Sequence, residues 1–190
     1  MWIAILVVLL LLATMMRWSP MTWQQSSTGK SYYVKRGPGQ ELVANRLELL
    51  THHTNKFLDA ADTAYPGDLR IANVRARWSG TLAETADSAG IAYTLNKQDL
   101  HVCVRSPEGG LESVNTTMYV LLHEIAHIAT DTYGHPPEFW TNFRWILEAA
   151  EKLGMYAYED FDAIQVTFCG HQLGNNVMKC VKKSTCRSLL

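Results

Sequence analysis

His123 and His127 bracket the segment His123-Glu124-Ile125-Ala126-His127. On a helix that spacing sets two imidazoles one turn apart on a single face, where both can reach one ion. Glu124 follows the first histidine and is rotated about 100° around the helix axis, which places its carboxylate beside the ion, to hold a water molecule and not to ligate. A catalytic zinc site takes three protein ligands and keeps one position open for water. His135, in Tyr133-Gly134-His135-Pro136-Pro137-Glu138-Phe139-Trp140, is the best third ligand. Glu138, Asp131 and His171 are weaker candidates, and a turn or N-cap role is the alternative for His135 itself. Tyr133 is either a packing aromatic or a second donor to an oxyanion. The predicted chemistry is hydrolysis of a peptide bond by water activated on Zn2+ held by His123, His127 and His135. Glu124 acts first as general base and then as general acid toward the departing amine.

Helices must carry these residues. Val120, Leu121, Leu122, Ile125 and Ile128 make the motif helix a buried one, running from an N-cap at Asn115 through Thr116 to about Thr130. Gly134 can end it in a left-handed conformation, and Pro136 suits the first turn of the next helix, so His135 lies on a tight return to the site. That next helix, about Pro137 to Leu153, carries the stripe Phe139, Phe143, Ile146, Ala150 and Leu153, which would brace the motif helix from behind. Upstream, Val43, Leu47, Leu50, Phe57, Leu58 and Ala61 predict a long amphipathic helix from Gln40 to about Ala64. His52 and His53 read there as exposed or core-edge residues. Leu69 to Ser88 predicts a short helix with Arg70, Arg75 and Arg77 outward. Ile91–Leu95 and Leu100–Arg105 flank Asn96-Lys97-Gln98-Asp99 and read as a β-hairpin. The strand ending at Arg105 is the candidate to pair with an extended peptide substrate.

Composition limits the remaining possibilities. The 190 residues, 47% of them hydrophobic, suffice for one ordinary core plus an appendage. The net charge of −1 is spread without a run of like charge, so no electrostatic footprint for nucleic acid stands out. Residues 1–16 carry no charge and would span about 24 Å as a helix. With Trp2, Arg17, Trp18 and Trp23 at their ends, residues 1–18 predict a membrane anchor or an uncleaved signal-like segment. Positive residues after it (Arg17, Lys30, Lys35, Arg36) favour a single-pass protein with its catalytic part in the cytosol, on a host or virion membrane. A glycan at the sequon Asn115-Thr116-Thr117 would overturn that placement. Residues 19–39, rich in small and polar types, read as a linker in which Tyr32-Tyr33-Val34 could add a short extended piece. Residues 40–176 form the zinc metallopeptidase-like domain and 177–190 a basic, cysteine-containing tail. Cys169, His171, Cys180 and Cys186 could form a second zinc site, disulfides or free thiols.

HEIAH followed by YGHPPEFW resembles the minigluzincin pattern of SprT-like and WLM-type metallopeptidases, in which HExxH precedes a G-H-x-x-x-F segment. The matching positions are His123, Glu124, His127, Gly134, His135 and Phe139. The wider run through Ala92-Tyr93-Thr94, Asn115-Thr116, Asn142-Phe143-Arg144 and Phe168-Cys169-Gly170 is similar to WLM-like metallopeptidases of large DNA viruses of eukaryotes. The likeness spans roughly residues 40 to 176. It implies a small α+β zincin-like domain with a hairpin edge strand beside the cleft, three zinc-binding histidines and a glutamate base. Against the DNA-repair proteases of the SprT type, the chain lacks an evident DNA-binding module and carries the apolar N-terminus. The function so implied is a membrane-anchored zinc metalloendopeptidase acting on polypeptides. The alternative is a zinc-stabilised structural protein of a membrane or virion, with weak or no turnover. Neither reading names a substrate or an oligomeric state.

Overall fold

A computed structural model describes residues 5–6, 19–86, 90–174 and 177. Helix α1 (Gln40–Ala64) forms as its pattern predicts, with Val43, Ala44, Leu47, Leu50, Phe57, Leu58 and Ala61 buried along one face and His52 in solvent. Helix α2 (Leu69–Arg77) starts at Asp68, whose side chain accepts from the Arg70 N–H. Its arginines do structural work: Arg75 pairs with Asp59 and Asp62 of α1, while the Arg70 guanidinium lies 3.7 Å from the centre of the Trp145 ring.

The short helix expected within Leu69–Ser88 is α2, and the chain beyond it adds a strand that the sequence did not show. Strand β3 (Leu82–Glu84) runs parallel to β5 (Asp99–Val102), which pairs antiparallel with β4 (Ala92–Leu95), giving the order β3-β5-β4. Three residues are too few to show a strand period. The β4–β5 turn holds Asn96 and Lys97 at φ +51° and +59°, the left-handed pair that a tight hairpin requires.

Residues 19–39 depart from the linker reading, although the extended piece expected at Tyr32-Tyr33-Val34 forms. Strands β1 (Met21–Gln25) and β2 (Ser31–Lys35) form a hairpin that buries Met21, Tyr32 and Val34 and packs on α1 and β3. A buried carboxylate locks it to the sheet. Glu84, fully enclosed, accepts from the Lys35 backbone N–H and from Arg105 Nε, both at 2.7 Å, and Arg105 also donates to the carbonyls of Lys35 and Pro38.

Helices α3 (Val114–Ala129) and α4 (Pro137–Lys152) close the other side, followed by α5 (Phe161–Ile164) and the small hairpin of β6 (Thr167–Phe168) and β7 (His171–Gln172). The α3 N-cap is Ser113, which accepts from the Thr116 N–H, and not Asn115. Asn115 instead exchanges two 2.8 Å bonds with the backbone of Ala157, so the amide of the sequon is engaged within the fold.

The architecture is α+β, as expected, but the transmembrane part of that expectation is corrected. Among the described residues no helix is long and apolar enough to cross a membrane, which conflicts with the predicted anchor and with the single-pass, cytosol-facing placement. The apolar run was already some 6 Å short of a bilayer core of about 30 Å. Residues 1–18, apart from Ile5 and Leu6, lie outside the described residues, as does the tail 177–190 apart from Val177.

Candidate metal centre

The motif helix is apolar on nearly every side. Met118, Leu121, Leu122, Ile125, Ala126 and Ile128 are buried between the sheet, α2 and α4. A helix enclosed in this way retains polar side chains only where they have partners. His123 and His127 share one face, and the chain leaves α3 at Thr130 in an extended conformation, several residues before Gly134. Gly134, at φ +77°, serves the following loop and not the helix end as predicted. Pro136 is the N-cap of α4 and Pro137 occupies its first turn, as fixed proline φ allows. This path returns His135 to the helix: its Nε2 lies 3.1 Å from that of His123, which lies 3.2 Å from that of His127.

His123, His127 and His135 are thus close enough to bind a metal ion, with one donor atom from each inside a 4.8 Å span. Among the described residues no other group of three or more potential ligands is so arranged. The weaker candidates are elsewhere. Asp131 pairs with Arg77, Glu138 accepts from Thr132 Oγ1 at 3.0 Å, and His171 sits on β7 beside a separate hollow. Burial, helped by the neighbouring imidazoles, holds His123 down to about 3 and His127 down to about 4. Both are neutral at ordinary pH, the state in which imidazole donates to a metal.

Aromatic packing fixes the three rings. Phe139, wholly buried on α4, stacks on His127 at 4.3 Å and meets His135 and His123 edge-on at 4.6 and 4.9 Å. Phe143 meets His123 at 5.0 Å and Trp140 stacks on His135 at 5.5 Å. The stripe read as a brace does more than support α3 from behind: its rings form the wall against which the imidazoles rest.

Glu124 is 7% exposed and accepts from Thr94 Oγ1 at 2.8 Å. Burial pushes its carboxyl up to about 7, against the opposite pull of the Thr94 bond. A group poised there can take and release a proton near neutrality. Thr94 entered the resemblance only within Ala92-Tyr93-Thr94 and without a role, and one threonine in a short strand offers no signal of such a role.

His123, Glu124, His127 and His135 face a cleft of about 780 Å3 that β4 also lines. The Ile91 carbonyl accepts from the Cys103 N–H at 2.7 Å. By the alternation of an antiparallel ladder, Tyr93 and Leu95 also bond toward β5, and Ala92 and Thr94 turn their backbone groups away from it. The strand ending at Arg105 is therefore not the free edge: β5 is central, paired on both sides, and the edge is β4. Tyr133 is 83% exposed on the rim, so the packing reading fails for it.

Across the cleft, Gln172, Leu173 and Gly174 form a lip. A disulfide between Cys103, just after β5, and Cys169, in the β6–β7 turn, ties the lip to the sheet. Cys169 therefore takes no part in a second zinc cluster, and Cys180 and Cys186 lie outside the described residues.

No family model matches the chain, and no solved structure is significantly similar to it. It is similar to viral proteins described only as uncharacterized. An Acanthamoeba polyphaga mimivirus protein is 27% identical over 165 residues, covering 80% of this chain and 81% of that protein. An Invertebrate iridescent virus 3 protein is 38% identical over 66 residues, covering 34% of this chain and 42% of that protein. An Invertebrate iridescent virus 6 protein is 31% identical over 147 residues, covering 74% of this chain and 72% of that protein. At that identity and coverage, the chain belongs to the family of the uncharacterized protein from Invertebrate iridescent virus 6.

Proposed function

We propose that the chain is a zinc-dependent endopeptidase whose metal is held by His123, His127 and His135 and whose general base is Glu124. The observation that carries this reading is the convergence of three histidine Nε2 atoms beside a buried carboxylate that bears no share of the ligand set. Their separations of 3.1 and 3.2 Å suit the donor set to zinc, because a tetrahedron with Zn–N near 2.0–2.1 Å has edges of about 3.3–3.4 Å. When bound, zinc would supply a Lewis acid that lowers the pKa of a coordinated water and polarises a substrate carbonyl.

The chain's own residues account for the rest. Glu124, buried with its carboxyl near neutrality, accepts the proton of the attacking water and delivers it to the departing amine. Thr94 Oγ1 holds that carboxylate in place. Ala92 and Thr94 turn their backbone groups away from β5 along the cleft, so an extended polypeptide can add to β4 as a further strand. Phe139, Phe143 and Trp140 keep the imidazoles in position while the substrate is seated. The likeness of HEIAH and YGHPPEFW to minigluzincins agrees with this reading.

The test is cleavage of a proteome-derived peptide library by the full-length protein, with and without a zinc chelator. Cleavage that chelation abolishes and added zinc restores supports the proposal. A protein that binds one zinc and cleaves nothing overturns it and leaves the zinc-stabilised structural alternative.

A further inference from the structure

The C-terminal end of α3 and the loop beyond it present a run of backbone carbonyls that no helical turn satisfies. Side chains from other elements take them. Arg77 Nη1 donates to the Ile128 carbonyl at 2.8 Å and Asn73 Nδ2 to that of Ala129 at 3.0 Å. Lys97 takes the next three. Its Nζ donates to the carbonyl of Thr130, to that of Asp131 at 2.7 Å and to that of Thr132 at 3.4 Å, and it lies 4.9 Å from the centre of the Tyr133 ring. An ammonium has three donors and no acceptor, so this arrangement uses its full capacity. A cation at a helix C-terminus is favoured by the helix dipole as well.

Lys97 comes from the tip of the β4–β5 hairpin, and the loop it grips ends on His135. Residues 131–135 are exposed and lack helical or strand bonding. Apart from the rings packed on His135 itself, their other side-chain contacts include the Arg77–Asp131 pair and the Thr132–Glu138 bond, both at the surface.

We propose that Lys97 is the positioning residue for the third metal ligand: by gathering the Thr130, Asp131 and Thr132 carbonyls onto one ammonium, it fixes the loop that delivers His135 to His123 and His127. The inference rests on the three-histidine metal reading. It also makes the ligand loop and edge strand β4 one mechanical unit, since Lys97 sits two residues beyond the strand.

The experiment measures zinc affinity by competition with a chromophoric chelator for full-length wild type, Lys97→Met, Lys97→Arg and His135→Ala. Unfolding of each metal-free protein in urea is measured in parallel. Lys97→Met keeps the aliphatic stem and loses the donors; its affinity should fall about 10- to 100-fold, the usual effect of removing a group that orients a ligand. Its metal-free stability should fall by clearly less than its zinc-binding free energy, the modest cost of a few loop carbonyls losing a donor. Lys97→Arg, which keeps a cation with several donors, should restore most of the loss. Wild-type affinity in Lys97→Met, beside a large loss in His135→Ala, overturns the role of Lys97 alone. A loss matched by an equal loss of metal-free stability and not rescued by arginine also overturns it, because the residue is then merely structural. A wild-type protein that binds no zinc overturns the three-histidine reading and this inference with it.

Discussion

Replacing Glu124 by glutamine should change how the metal-free fold responds to acid. In the fold, burial holds His123 down to about 3 and His127 down to about 4, and pushes Glu124 up to about 7. Ordinary values are 6.5 for histidine and 4.5 for glutamate. Between those two values the unfolded chain holds one more proton than the fold at each histidine and one fewer at Glu124. Stability falls with acid wherever the unfolded state holds more protons, by ~1.4 kcal/mol per pH unit for each proton. His127 is the more open of the two histidines, and halving its contribution for solvent screening leaves the pair costing about 2 kcal/mol per unit. Glu124 offsets ~1.4 of this, so wild type should lose less than ~1 kcal/mol per unit and Glu124→Gln about 2. Urea unfolding of the chelator-stripped proteins at about pH 6.5 and about pH 5 measures both slopes. Other titrating groups are shared, so the two proteins should diverge by about 2 kcal/mol across that interval. Equal slopes would refute the claim that the fold holds Glu124 buried and protonated.

Three further outcomes follow from individual contacts. Cys169→Ala opens a loop closed across a sequence separation of 66 residues, and should cost about 4 kcal/mol by the chain-entropy relation, read from urea unfolding; wild type in reductant should show the same loss. Glu84→Ala leaves Arg105 without its carboxylate and the Lys35 N–H without its acceptor, and a loss of about 3–5 kcal/mol should appear as a lowered Tm. Thr94→Val removes the bond to Glu124; zinc content should not change, while kcat falls about tenfold or more, as loss of a hydrogen bond to a charged group predicts.

What was legible in the sequence was periodic or chemically marked. The α3 histidines show themselves by helical spacing, α1 by its apolar stripe, and the β4–β5 hairpin by the polar turn between two apolar runs. His135 was legible because glycine and paired prolines bound a forced return of the chain. Of the β1–β2 hairpin only the extended piece at Tyr32-Tyr33-Val34 was legible: the serine, threonine and glycine content resembles a tether, and only Met21, Tyr32 and Val34 face the core. Strand β3 is held by the carboxylate of Glu84 as much as by apolar side chains, and such a contact has no local signature. Ser113 and Asn115 are both capping types two residues apart, so pattern alone could not choose between them. The Cys103–Cys169 pairing and the reach of Lys97 across the site depend on tertiary approach, which spacing does not encode.

The central claim is that Glu124 moves the proton while three histidines hold the metal. Its most direct test is to measure zinc content and peptide hydrolysis on the same preparations of full-length wild type and Glu124→Gln. Both proteins should carry one zinc per chain, and hydrolysis should fall by about 100-fold or more in the variant, the scale of a lost general base. A Glu124→Gln protein that keeps its zinc and cleaves peptides at the wild-type rate would contradict the account.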